Sequence, residues 1–363
     1  MNHRKYRPHM GAVLRQGVVV SLAYFSVLAG SAWAADFDWT AGAPANWNNG
    51  ASWNPAGPPS GGALNNAYID NGGTAIITSD IPDIQDIHVG SGAGGVGTLT
   101  QTGGHTFQGT GGWVFVGQSG GVGTYNLSGG TQDKSRLFIG QAGTGFFNLS
   151  GSGVLDNDAL LIGVAGGTGH VTMSGGTINT GQIDLTNGTF DMTGGLLSTT
   201  TFNGDLTQDG GTTAPGSSPG LMTINGNYAL NAGDLFMELG GLTAGTEYDQ
   251  LIVNGDVSLA GGLTLSLLPG FTPLLGDVFT IIDNMGVNPV SGGFLEGMSI
   301  SVDGFGFDID YMGGDGNDVV LTLVSSAVPA PGVVLLLLAG LAVVFRAKRR
   351  SRIGGGEAVL SPL

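Results

Sequence analysis

Short runs of alternating apolar and polar residues recur along the middle of this chain, and glycine ends each of them. The apolar positions are Tyr125 and Leu127 in YNLSGG, Phe147 and Leu149 in FNLSGS, Val171 and Met173 in VTMSGG, and Phe190 and Met192 in FDMTGG; LTQTGG, ending at Gly104, has the same form. Neighbouring strand side chains point to opposite faces, so each run predicts a short strand with one apolar face. Asn126, Asn148, Thr172 and Asp191 fall between the apolar positions, with Ser128, Ser150, Ser174 and Thr193 beyond, which makes the other face polar.

A second element precedes each of the first four strands. It is an apolar residue followed by glycine, at Val89 and Gly90, Val116 and Gly117, Ile139 and Gly140, and Ile162 and Gly163, with spacings of 27, 23 and 23 residues. A near-constant period of this size is the mark of a stacked repeat. Each copy reads as two short strands joined by glycine turns. Stacking copies in register about 4.8 Å apart sets every residue over its equivalent. Tyr125, Phe147, Val171 and Phe190 then form one inward column, and Leu127, Leu149, Met173 and Met192 the next. The fold expected is all-β, a right-handed parallel β-helix, with an N-terminal signal peptide and a single C-terminal hydrophobic helix.

The flanks divide the rest of the chain. Residues 35–86 form a Trp/Pro/Gly-rich N-terminal cap containing Trp39, Trp47 and Trp53, whose rings are expected to cover the open end of the first coil; a platform for sugar rings is the other reading. Residues 87–210 carry the glycine-rich repeats. Longer units occupy 211–325, among them SPGLMTINGNYAL, GDLFMELGG, YDQLIVNGDVSLAGGLTLSLL and GDVFTIID.

Both termini read as addresses. Residues 1–34 hold a basic RKYR, an apolar stretch over 18–28 and the small residues Ala32 and Ala34, which predicts a secretory signal cut by signal peptidase between Ala34 and Ala35. Residues 326–352 contain Pro329, Ala330 and Pro331, the apolar GVVLLLLAGLAVVF and a basic RAKRR, and 353–363 form a tail. Such a segment would hold the chain in a membrane with its basic cluster on the cytoplasmic side.

Charge sharpens this picture. The 70 glycines are about 19% of the 363 residues, where roughly 7% is usual, yet aliphatic residues recur too regularly for a flexible polymer. Residues 35–345 carry 26 acids against two bases, Lys134 and Arg136, a net charge near −24. Nucleic acid is excluded as a partner for such a surface. Cysteine is absent, which removes disulfide, zinc-thiolate and thiol chemistry.

The proline-flanked motif, apolar helix and basic finish of 326–352 resemble the PEP-CTERM sorting signal, with Ala330 where that family usually has Glu. The resemblance implies recognition by a membrane protease of the exosortase type at Pro329, Ala330 and Pro331. The GG repeats, with PG-x-x-T-I-N-G-N-Y and Y-D-x-L-x-V-x-G after them, resemble autotransporter-like passenger segments over about residues 36–325. Together these imply an exported protein, anchored through its C-terminal helix and then placed at the cell surface or in an extracellular polysaccharide or biofilm matrix. A structural or matrix role is expected, with an adhesin or polysaccharide-binding module as the alternative and a polysaccharide-cleaving enzyme behind both.

No catalytic constellation stands out. Lys134 and Arg136 are the only bases that a lyase could use. Asp156, Asp158 and Asp184 are isolated, and His88, His105 and His170 are scattered, so no enzyme activity and no catalytic residue is expected. GGDGNDVVL (313–321) fits one copy of a calcium-binding nonapeptide and makes Asp315 and Asp318 the sole metal candidates. One copy lacks the neighbouring turn that completes such a site, so a β-hairpin with this loop is the simpler reading, and no other cofactor is expected.

Overall fold

The computed structural model describes residues 35–60, 65–106, 112–133 and 135–326. Within them the chain is all-β, and its one helical element is the single 3-10 turn Gly50–Ser52. Parallel strands stack into a solenoid of about 7 turns, and each complete coil has three faces.

The first face runs through Asp36–Trp39, Asn66–Ile69, Ile87–Ser91, Trp113–Gln118 and Arg136–Gln141. It continues through the ends of Val154–Ile162, Thr168–Leu185 and Gly188–Asn203 to Leu221–Ile224, Gln250–Val253 and Val278–Asn284. The second face begins at Ala45–Asn46, Asn71–Ile77, Val96–His105, Val122–Gln132 and Thr144–Leu149. It runs on through the starts of Thr168–Leu185 and Gly188–Asn203, then Leu206–Pro215, Tyr228–Leu239, Val257–Leu259 and Ser291–Gly292. Neither ladder is interrupted at 86/87 or at 210/211.

The expected inward columns are present. Tyr125, Phe147 and Val171 are fully buried and Phe190 nearly so, each paired with its equivalent on the next coil, as are Leu127, Leu149, Met173 and Met192. The polar positions between them ladder outside: Asn148 Nδ2 donates to Asn126 Oδ1 at 2.8 Å.

The third face was not foreseen, because two strands per copy were expected. It follows each glycine pair directly and joins the end of Val122–Gln132 to the start of Val154–Ile162, the middle of Thr168–Leu185 and of Gly188–Asn203, the late residues of Leu206–Pro215 and Tyr228–Leu239, and Gly262–Leu267. Its stretches are threonine-rich and bring few large side chains inward per coil, such as Leu155, Ile178 and Leu197. The apolar signal is correspondingly thin.

Corners explain the glycines. Gly117, in the bend from first to second face, has φ 73°, and a Cβ there would overlap the Thr144 carbonyl of the next coil. Both the conformation and the close backbone approach demand glycine. Two residues on, each corner needs positive φ again; Gly92 fills that place in one coil, but Ser119, Ala142 and Ala165 fill it in the next three, at 52°, 52° and 53°. Left-handed backbone costs an alanine about 1–2 kcal/mol, part of which glycine returns through chain entropy. Ala142→Gly should therefore stabilise the chain by up to about 1 kcal/mol in denaturant unfolding.

Two corners between second and third face carry a buried amide. Gln101 Nε2 donates to the carbonyls of Gly104 (2.9 Å) and Thr131 (3.1 Å), and its Oε1 accepts from the Tyr125 hydroxyl at 2.5 Å. Gln208 repeats this with Gly211, Asp234 and the Tyr228 hydroxyl, at 3.0, 3.1 and 3.0 Å. Burial pushes both phenols well above their ordinary pKa, so they remain donors.

At the ends of the first face the pairing changes sense. Trp53–Asn54 lies antiparallel to Asp36–Trp39. At the other end Asp318–Ser325 lies antiparallel to Val278–Asn284 and to Phe305–Gly313, which pairs in turn with Ser299–Val302. The tail end of the 211–325 segment is thus an antiparallel cap: the hairpin expected around GGDGNDVVL is present, and it turns back against the last parallel rung instead of continuing the longer coils.

Candidate functional site

The tryptophan cluster is a cap. Trp39, Trp47 and Trp53 are each at most 2% exposed and meet edge to face, with Trp39–Trp53 and Trp47–Trp53 centroids both 4.8 Å apart. Trp53 Nε1 donates to the Trp47 carbonyl at 2.8 Å. No ring face is open to a sugar, so the platform reading of these three residues fails on burial.

The nonapeptide forms the loop of a hairpin. Gly313 pairs with Asp318 across the turn 314–317. Asp318 is buried, and its Oδ1 accepts the Asn284 backbone N–H at 2.9 Å, tying the hairpin to the last rung of the first face; burial raises its pKa. Asp315 lies exposed on the turn. Among the described residues no group of three or more His, Asp or Glu is placed to hold a metal.

The scattered histidines stay apart. His88 lies in the first face, His105 ends a strand near the Asp133 carboxylate at 3.8 Å, and His170 stacks on Phe146 on the second face. Asp156 accepts from Asn179 and Asp184 from Asn203, as rungs of polar ladders, and Asp184 also accepts from Gln182 two residues before it in the same strand. Arg136 lies over the Trp113 ring at 5.6 Å. Ala35 opens the first coil, its N–H bonded to Asn65 Oδ1 at 2.9 Å. Ala34, the signal segment, and Pro329, Ala330 and Pro331 with the apolar segment after them lie outside the described residues; within those residues no helix is long and apolar enough to cross a membrane.

Two features escaped the sequence reading. The first is an outward aromatic column on the first face. Tyr68, His88, Phe115 and Phe138 occupy equivalent positions on successive coils and stack at 4.4, 4.9 and 4.8 Å with rings 6–15° from parallel. Each ring covers its neighbour, so His88, Phe115 and Phe138 are less than 9% exposed although they point away from the core. Burial lowers the His88 pKa and Nδ1 lies 2.9 Å from Gln118 Oε1. The column then changes character to Leu161, Asp184 and Asn203, after which Asn225 Nδ2 bonds Asn203 at 2.6 Å and Asn254 bonds Asn225 at 2.7 Å. Such pairs stabilise neighbouring strands by about 0.2–1 kcal/mol each. Its role is stacking, since the ring faces are used up within it.

The second feature is a groove of about 520 Å³ on the third face. It exists because the corner from third to first face lengthens here. Val154–Ile162 turns this corner without leaving its strand, whereas residues 216–220 and 240–249 make the same corner in later coils. The widened corners rise beside outward side chains of the flat ladder: Leu196, Ala214 and Phe236 with Pro215 form apolar walls, and Glu238 and Asp249 supply the charge.

Asp249 is a staple of this corner. It is 1% exposed, its Oδ1 accepts the Gly220 N–H at 2.7 Å, and its Oδ2 accepts the Glu238 N–H at 2.8 Å. Burial raises its pKa to about 6 against the pull of those two donors, and the Glu238 carboxylate pushes in the same direction as burial. Glu238 stands half-buried between the inward Met237 and Leu239, with Oε2 shielded from solvent and without a hydrogen-bond partner. A signal for it is in the sequence: in GDLFMELGG, Leu235, Met237 and Leu239 fill the inward positions, which leaves Phe236 and Glu238 outside.

No family model matches the chain, and no curated protein matches it.

Proposed function

We propose that this chain is an exported structural repeat protein, an acidic solenoid held at the cell envelope or released into an extracellular polysaccharide matrix, and that it is not an enzyme. The observation that carries the reading is the continuous succession of parallel pairings along two ladders, from Asp36 to Asn284 and from Ala45 to Gly292, in which coil after coil commits its inward side chains and its outward rings and amides to stacking. Length and surface are what such a construction supplies. A right-handed winding belongs to the proposal, because parallel strands in one sheet are almost always joined by right-handed connections.

Export and sorting complete it. Signal peptidase would cut between Ala34 and Ala35, and an exosortase-type protease would act near Pro329, Ala330 and Pro331 once the apolar segment had halted the chain in the inner membrane. In a host carrying that protease, intact mass of the surface protein should show a chain beginning at Ala35 and lacking 332–363. Replacing Pro329 and Pro331 with Ala should leave the protein in the inner membrane with its coils folded. Recovery from the surface of a chain still ending at Leu363 would defeat the sorting reading.

A further inference from the structure

The third-face groove has features that stacking alone does not require. Its walls are mostly carbon, from Leu196, Ala214, Pro215 and Phe236, beside the hydroxyls of Ser198, Thr212 and Ser218, yet it holds two carboxylates. Both oxygens of Asp249 are engaged by backbone donors, whereas Glu238 Oε2 is shielded from water and has no donor. An unpaired charged oxygen in such surroundings is costly, and a donor brought by a ligand would relieve it.

The chemistry of that donor follows from what the groove offers. A calcium or magnesium ion needs six or more oxygen ligands, and one free carboxylate beside apolar walls does not supply them. A sugar ring brings many hydroxyls, each needing a partner, and beyond Ser198, Thr212, Ser218 and Glu238 the walls offer none. A protonated amine on an apolar body matches both parts: the ammonium group meets Glu238, and the body lies between Phe236 and Pro215. The surrounding surface, with 26 acids against two bases over 35–345, draws cations toward it.

We propose that this groove is a binding site for an amphipathic organic cation, with Glu238 as the pairing carboxylate and Phe236 as the apolar wall. The proposal is independent of the export and matrix reading. Asp249 acts through position, since it holds the Glu238 backbone and the 216–220 corner in place.

The test is calorimetric titration of the full chain with benzylammonium at pH 7.5, against benzyl alcohol as the neutral isostere. Benzylammonium should bind saturably at one site and at least tenfold more tightly than the alcohol. Glu238→Gln should abolish that preference, and Phe236→Ala should weaken both probes. Because Oε2 has no partner to lose, Glu238→Gln should melt at or above the wild-type temperature, which separates loss of binding from loss of fold. Equal affinity for the two probes, no saturable binding, or an unchanged preference in Glu238→Gln would each overturn the proposal.

Discussion

Leu149→Asp should unfold the coils around it, lowering stability by more than about 4 kcal/mol, whereas Asn148→Asp, one residue away, should cost less than about 1 kcal/mol. Leu149 is 1% exposed and has Leu127 beneath it and Met173 above, so a carboxylate there would be buried with no donor in a column of hydrocarbon. Asn148 points out, and the change disturbs one rung of an exposed amide ladder. Denaturant midpoints of the two variants check this directly. Equal losses would mean that the assigned faces are wrong.

Asp249→Ala should be the next most damaging change. It strands the N–H groups of Gly220 and Glu238, and buried donors left without acceptors cost about 1–3 kcal/mol each, partly offset by removal of a carboxylate that is itself costly to bury. A net loss of about 2 kcal/mol is expected. Its size should depend on pH. The folded pKa, about 6, lies above the unfolded value of 3.8, so the folded state holds this proton more tightly. The stability contributed by that proton is complete below the unfolded value and is lost as pH rises through about 6. The variant lacks the contribution, so its deficit should be greater at pH 5 than at pH 7.5. A deficit identical at both would show that the carboxyl does not titrate in this range.

Much of the architecture could be read from the chain because a stacked coil repeats its inward residues at fixed places. Tyr125 and Phe147, or Leu127 and Leu149, are conspicuous as equivalents in the sequence itself. The third face hid because its inward positions mix Leu155 and Ile178 with Thr213, and because the glycine pair that turns into it reads as the end of a strand. The antiparallel cap was half legible: FDIDY and VVLTLV read as a hairpin, but alternation carries no information about direction, so the pairing of VVLTLV with Val278–Asn284 stayed hidden. The loop joining them was legible, since Gly-Asp-Gly-Asn between two such runs is a turn.

The groove was the least legible element. It is made by the lengths of two corners, 216–220 and 240–249, which place segments distant in sequence beside one another, and corner length has no hydrophobic period. The aromatic column was within reach: WVFVG and RLFIG both put phenylalanine between two inward aliphatic residues, at a position an isolated strand would leave to water. Only the stack from coil to coil makes that choice favourable, because each ring there is covered by the next.

The reversal of strand direction at both ends of the first face bears on how the molecule meets other copies of itself. A parallel ladder that simply stopped would offer its last row of N–H and C=O groups to the first row of another molecule, in the register that the chain already uses between its own coils. Trp53–Asn54 occupies one of these rows and Asp318–Ser325 the other, each running against the grain. The same stacking that joins coil to coil within a molecule is thereby denied a continuation along this face, and the solenoid terminates where it would otherwise be a seed for a fibre.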